Sequence, residues 1–408
     1  MGIVIVGAGQ AGLQIALSLR QKGYDGGVVL LGDEMHLPYQ RPPLSKGYLK
    51  GTADAASLVF RPAEALASLG IDVRLGQDVR RIDRTEKFVE LETANLPYDK
   101  LALALGTRPR SLSIPGADLP GVLSLRGISD GEALLAALSA SRHIVIIGGG
   151  FIGLEVAATA AAAGKQVCVV EAGERVMARA VAPQISAWFE DMHRSLGTRI
   201  ETSAQVTSID GDDRVRSVTL SSGEALPAEV VLVGVGAVPN IEIAAASGLE
   251  CPNGILVDAY GRTSDPDVFA AGDCALHPNR FAGGMFRLES VQNAIDQAKA
   301  VAAAMMGEAL PYESVPWFWS DQGDAKLQTT GLPLRTEQYV LRGVPDDGKF
   351  TVFHLKGGLV IAADSVNSPS DHMCARRIVA NGISVSPEIL SDPATDLKSV
   401  AMQRTAST

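Results

Sequence analysis

The sequence predicts an α/β protein with two doubly wound, parallel-sheet domains followed by a C-terminal α+β domain. Three observations lead there. The chain opens with GIVIVGAGQAGLQ (residues 2–14), and HIVIIGGGFIGLE (143–155) repeats the same grammar roughly 140 residues later. Each of these strand–glycine–helix units is then followed by a second strand with an acidic residue at its tip. A chain of 408 residues has room for two or three cores, and 46% apolar with 20% charged residues is ordinary for a globular protein.

In the first unit, Gly7, Gly9 and Gly12 follow a strand over residues 3–6, and a helix with small and apolar spacing runs over 11–22, entered at Ala11. Gly7 permits the tight turn, Gly9 lets backbone approach a pyrophosphate, and Gly12 lets helix and strand pack closely. The next strand, 28–31, ends at Gly32-Asp33-Glu34, where the carboxylate of Asp33 or of Glu34 is placed to accept hydrogen bonds from an adenosine ribose. The second unit repeats this with Gly148, Gly150 and Gly153, a helix over 151–164, a strand over 166–170, and Glu171 at its tip. A carboxylate at that place pairs with a free 2′-hydroxyl and repels a 2′-phosphate, so the second cradle is expected to prefer NADH to NADPH; nearby Arg175 is the feature that runs the other way.

Other classes of function are disfavoured. The longest apolar runs, 144–147 and 230–238, are strand-length, and the alanine-rich run 156–164 stops at Lys165, so no bilayer crossing is expected. A strand beginning at residue 3 leaves no room for a secretory leader, which predicts a cytoplasmic protein. Cys168, Cys251, Cys274 and Cys374 form no CxxC pair and no metal-ligand spacing, as suits a reducing compartment. A formal net charge of −10 opposes binding to nucleic acid or anionic lipid.

LALALGTR (101–108) and SDPDVFAAGDC (264–274) resemble the segments with which two-dinucleotide flavoprotein reductases of the glutathione reductase fold complete their FAD domain. PYQRPPLSKGYLK (38–50), RLESVQNAIDQA (287–298) and PWFWSDQ (316–322) narrow the resemblance to the oxygenase-coupled, FAD-dependent NADH:ferredoxin reductases, the family of putidaredoxin reductase and of the reductase components of aromatic-ring dioxygenases. The resemblance runs over nearly the whole chain. It implies FAD in the first cradle and NADH in the second, with Asp273 on the flavin's ribityl chain and Arg41, Val79 and Val291 as further FAD contacts. It also implies that Lys46 and Glu155 pair beside the flavin. A buried lysine and glutamate are each costly alone and tolerable together. The helix starting near Ser290 is expected to aim its positive end at the flavin. Glu289 is expected to meet the nicotinamide, Gly236 to be a further cofactor-binding position, and Trp319 to lie near the flavin and the docking face. Trp317 fits either that face or a core staple. Disulfide reductases of this fold carry a cysteine pair where this chain reads PPLSKGYLK, so no thiol relay is expected.

Nicotinamide delivers two electrons as a hydride, whereas an iron–sulfur cluster takes them singly; flavin bridges the two. The resemblance thus implies a reductase feeding a [2Fe-2S] ferredoxin that serves a P450 or Rieske-type oxygenase. A rubredoxin or monodehydroascorbate-type reductase, and a redox-sensitive interaction module, are the alternatives. Lys326, Arg376 and Arg377 are the nearby cations available for docking. The expected domains are FAD-binding over 1–110 and 236–315, NADH-binding over 111–235, and C-terminal over 316–408. Segments such as IDVRL (71–75) and VTLSSG (218–223) are expected to form small antiparallel excursions.

Overall fold

The computed structural model describes residues 2–402. They gather into two compact units: residues up to Gln40 with Ala56–Arg108 and Val238–Pro316, and Arg41–Ala55 with Pro109–Ala237 and the residues from Trp317 on.

In the first unit the β-branched run GIVIV forms the strand Gly2–Val6 at the centre of a five-stranded parallel sheet. It pairs with Gly27–Leu31 on one side and Lys100–Leu103 on the other, and Ile71–Arg74 and Val268–Ala270 form the edges. Side chains alternate across the sheet. Ile3 and Ile5 face a core shared with the helices Gln10–Gln21 and Val291–Met305, while Val4 and Val6 face a second core closed by Ile82, Val89 and Tyr98. With both faces covered, the strands read as continuous apolar runs.

IDVRL is no antiparallel excursion: Ile71–Arg74 lies parallel to Gly27–Leu31, with Val28 opposite Ile71. The antiparallel excursion of this unit comes just afterwards, in Arg81–Asp83, Phe88–Glu90 and Asn95–Pro97. Its strands are only three residues long, too short for alternation to be legible.

The second unit repeats the plan. His143–Ile147 is central, flanked by Gln166–Val170 and Val230–Val233, with Arg199–Glu201 and Val122–Leu123 at the edges, all parallel. VTLSSG does belong to an antiparallel excursion, as the middle strand and following turn of Val206–Asp210, Ser217–Leu220 and Ala225–Pro227. From Trp317 the chain builds a five-stranded antiparallel sheet, Trp317–Gln322, Ala325–Gly331, Leu359–Val366, Lys349–Lys356 and Gln338–Val344 in spatial order, with the helix Pro369–Asn381 packed on it. Residues 350–355 are all buried, so the strand Lys349–Lys356 shows no polar–apolar alternation.

Residues 41–55 belong to this unit. Pro42 and Pro43 fix the backbone of a short 3₁₀ turn, Pro42–Ser45. Leu44 and Tyr48 then pack on Gly131 of the helix Ile128–Ala140, where a Cβ would lie 3.2–3.3 Å from their side chains.

Candidate functional site

The two glycine turns have the same physics. Gly7 and Gly148 take φ of +107° and +106°, and a Cβ on either would meet a carbonyl oxygen, that of Ala104 at 2.2 Å or of Gly234 at 2.4 Å. Only glycine fits such a turn. A Cβ on Gly12 would lie 1.9 Å from the Gly7 oxygen, and one on Gly153 2.5 Å from the Gly148 oxygen, so both permit close helix–strand packing. The middle glycines differ. Gly9 has nothing within 4 Å of its Cβ position, and Gly150 has only the Gly234 oxygen at 4.0 Å. Both sit at a helix N-cap without a side-chain cap. Open space facing uncapped helix amides is what a pyrophosphate requires, so both cradles fit a dinucleotide.

Around the first cradle, the segments singled out in sequence converge. Gly272 (φ +83°) would put a Cβ 3.0 Å from that of Ala11, which brings the residue before Asp273 against the first turn of the helix. The Gly272 amide donates to Gln297 Oε1 at 2.8 Å, tying this loop to the helix Val291–Met305. Ser290 caps that helix, accepting from the Asn293 amide at 3.1 Å. At the ribose position, Glu34 Oε2 accepts from the Tyr39 hydroxyl at 2.6 Å, while the exposed Asp33 accepts from the next backbone amide at 3.1 Å. Asp33 is thus the better placed of the two to meet a ribose. Val79 packs on the core that holds Val6 and Leu31. Glu289 is exposed and ion-paired with Arg287 at 2.5 Å, and Arg287 also donates to the Asp273 carbonyl at 3.0 Å.

In the second cradle Glu171 is fixed by two backbone donors, Gly149 to Oε2 and Gly173 to Oε1, both at 2.7 Å. A carboxylate accepts about four hydrogen bonds, so two acceptor positions remain for a ribose. Arg175 points elsewhere: its guanidinium donates to Val181 O, Ser186 Oγ and Ala178 O at 2.6–3.0 Å. The cation that argued for NADPH is therefore engaged within its own loop and helix. Gly236 (φ +103°) accepts from the Arg110 amide at 3.0 Å where the chain leaves this sheet.

Lys46 and Glu155 meet as expected, Nζ to Oε2 at 2.7 Å, with side chains 19% and 4% exposed. The proline turn presents the lysine, whose Nζ also lies 3.2 Å from the Pro42 carbonyl, and the cradle helix Phe151–Ala162 presents the glutamate. Two hydroxyls that sequence reasoning missed complete the carboxylate's shell: Ser45 Oγ donates to Oε2 at 2.5 Å and Ser320 Oγ to Oε1 at 2.6 Å. Ser320 is followed by a buried line of polar groups. Gln322 Nε2 lies 3.2 Å from Ser320 Oγ, and Gln322 Oε1 lies 2.8 Å from Nε2 of His193. Alternation along 317–322 was the available signal for Ser320 and Gln322, since 318, 320 and 322 share the face opposite Trp317 and Trp319; nothing local marks His193. Arg41 donates to the Arg126 carbonyl at 2.9 Å, in the same unit as Lys46.

On the opposite side of the strand Trp317–Gln322, Trp317 and Trp319 have ring centroids 5.6 Å apart. Arg376 stacks over Trp317 at 4.9 Å, and the buried His372 meets the same ring at 5.9 Å. Trp317 is thus engaged by the helix Pro369–Asn381, while Trp319 is half-buried. Phe318 packs at 4.6 Å on Phe151, the first residue of the cradle helix. Lys326 and Arg377 are exposed. No helix among the described residues is long and apolar enough to cross a membrane.

The family model of the pyridine nucleotide-disulphide oxidoreductases matches residues 1–298, and that of the reductase C-terminal domain matches 317–401. Rhodocoxin reductase of Rhodococcus erythropolis is 47% identical over 400 residues, covering 98% of this chain and 94% of its own. The crystal structure of the ferredoxin reductase for the CYP199A2 system of Rhodopseudomonas palustris superposes with a TM-score of 0.96 at 47% identity, covering 98% of this chain and 99% of that one. The putidaredoxin reductase in its covalent complex with putidaredoxin gives 0.95 at 38% identity, covering 98% and 97%. Two cradles of matched geometry, an ion pair between the half-buried Lys46 and the buried Glu155, and this likeness along the whole length lead to one conclusion: the chain belongs to the pyridine nucleotide-disulphide oxidoreductase family and, within it, to the ferredoxin reductases of oxygenase systems.

Proposed function

We propose that the protein is an NADH-specific, FAD-containing reductase that passes electrons singly to a [2Fe-2S] ferredoxin serving a P450 or Rieske-type oxygenase. The observation that carries this is the pairing of two open dinucleotide cradles with a cysteine-free turn at Lys46. FAD held in the first cradle would supply the link between a two-electron hydride donor and a one-electron iron–sulfur acceptor.

The protein's residues have the tasks of holding, orienting and excluding. Gly7, Gly9, Ala11, Gly12, Asp33, Arg41, Val79, Asp273 and Val291 hold FAD, and Gly148, Gly150, Gly153, Glu171, Gly236 and Glu289 hold NADH. Glu171 favours NADH because its two remaining acceptor positions suit a ribose diol, and a 2′-phosphate there meets a fixed negative charge. Lys46 would keep a cation beside a bound flavin, and Glu155 holds that half-buried ammonium in place. Trp319 supplies aromatic surface at the exit side, where the ferredoxin docks. By function we assign residues 1–110 and 236–315 to an FAD domain, 111–235 to an NADH domain and 316–408 to a C-terminal domain, although by contacts residues 41–55 cluster with the second unit. We place the protein in the cytoplasm, a reading supported by four unpaired cysteines, among which burial pushes the Cys168 thiol up to about 12 and the Cys274 thiol up to about 11. Denatured protein should release one FAD, and NADH should bleach the bound flavin far faster than NADPH. FMN in place of FAD, or equal rates with the two nucleotides, would overturn the assignment.

A further inference from the structure

The Glu155 carboxylate sets the direction of the hydrogen bonds behind it. Glu155 only accepts, so Ser320 must donate its single proton to Oε1 across 2.6 Å. Ser320 Oγ must then accept from Gln322, which places the amide nitrogen on that side, 3.2 Å from Ser320 Oγ and 3.6 Å from Met177 Sδ. The amide oxygen is left facing His193 Nε2 at 2.8 Å, so that nitrogen carries the proton. His193 is then a neutral Nε2–H tautomer with a bare Nδ1. That nitrogen has no hydrogen-bond partner among the described residues, and burial lowers the ring's pKa, as this assignment requires. Ser320, Gln322 and His193 are all fully buried. Every donor in this line points toward Glu155. It runs from the helix Pro183–Ser195 through the first strand of the C-terminal sheet to the cradle helix.

We propose that Ser320, held by Gln322 and His193, is a positioning residue for the Lys46–Glu155 pair. By occupying Oε1 it leaves Oε2 to Lys46 and Ser45, which lie 2.7 and 2.5 Å away, and so fixes where the ammonium stands. The C-terminal sheet thereby does more than carry tryptophans: the opposite side of the same strand sets the geometry of the charge at the cofactor. This deepens the role assigned to Lys46 above and rests on it.

The test uses the FAD-loaded protein with Ser320→Ala, and with Ser320→Cys, which nearly keeps the volume and weakens the donor. Three readings are taken on each: acylation of the Lys46 amine by a small anhydride, followed by mass spectrometry; the limiting rate and NADH dissociation constant of anaerobic flavin reduction; and the tautomer of His193 by nitrogen NMR. In Ser320→Ala, Lys46 should acylate several-fold faster, and the limiting rate should fall about tenfold with the dissociation constant unchanged, the usual scale for losing an orienting partner. Ser320→Cys should fall between, wild-type His193 should be the Nε2–H form, and the rate effect should vanish in a Glu155→Gln background. Unchanged acylation in Ser320→Ala, an equal rate loss in Glu155→Gln, or a wild-type His193 protonated on Nδ1 would overturn the positioning role. Faster acylation with an unchanged reduction rate would instead overturn the assignment of the pair to flavin reduction.

Discussion

Gly9 and Gly12 lie three residues apart in one turn, and a single methyl should act on them in opposite ways. At Gly9 the backbone sits at φ −84°, ψ −164°, open to any residue, and an added Cβ meets no protein atom within 4 Å. Alanine there costs the fold nothing and should raise stability by about 0.4–1 kcal/mol through the unfolded state. At Gly12 the Cβ would stand 1.9 Å from the Gly7 carbonyl oxygen and 3.3 Å from Ile5 Cγ2, so the helix must retreat from its strand. Overpacking of this kind costs about 1–3 kcal/mol. In a domain of roughly 150–250 residues that lowers the melting temperature by about 2–4 °C per kcal/mol. Ligand binding reverses the ranking. The Gly9 methyl occupies the space assigned to the pyrophosphate, so Gly9→Ala should weaken FAD by at least about tenfold, or 1.4 kcal/mol. Melting curves of the apo-proteins and flavin titrations read the two effects separately. Gly9→Ala that binds FAD like the wild type, or apo Gly9→Ala that melts as low as Gly12→Ala, would refute this account of the cradle.

Glu171→Arg should narrow or reverse the preference for NADH, measured as the ratio of flavin reduction rates with the two nucleotides; an unchanged ratio would remove Glu171 from the ribose site. Trp319→Ala should slow electron transfer to a cognate ferredoxin and leave flavin reduction by NADH intact, and neutralising Lys326, Arg376 and Arg377 should flatten the salt dependence of that transfer. Burial pushes His277 down to about 4, against about 6.5 unfolded, so its contribution to stability is complete above pH 6.5 and is lost as the pH falls toward 4. That amounts to about 2 kcal/mol between pH 7 and 5, and melting curves of His277→Gln should show a correspondingly flatter acid limb.

Features fixed by local backbone demands are legible in the amino-acid order itself. Gly7 answers to a left-handed turn, Gly9 to an open approach and Gly12 to packing on Gly7 and Ile5, and Glu171 stands at the end of its own strand. Lys46 and Glu155 are readable only through resemblance, because 109 residues separate them. Their meeting depends on how the proline turn packs on a distant helix. Ser320 and Gln322 are within reach of alternation once Trp317 and Trp319 have been placed outward. His193 is not, since an amphipathic helix gives no sign of what its buried histidine faces. IDVRL misleads for a related reason: alternation marks a strand but not the direction of its partner, which the crossover between Leu31 and Ile71 decides.

The most direct measurement is an electron count: protein reduced anaerobically with one equivalent of NADH is mixed with excess oxidised [2Fe-2S] ferredoxin in a stopped-flow spectrometer. Flavin and cluster are followed at separate wavelengths. Two ferredoxins should be reduced per NADH, with the flavin returning to its oxidised spectrum in two resolved one-electron phases. A flavin that NADH reduces but that yields no electron to any of a panel of such ferredoxins, or that passes its electrons on only as a pair to a two-electron acceptor, would contradict the assignment.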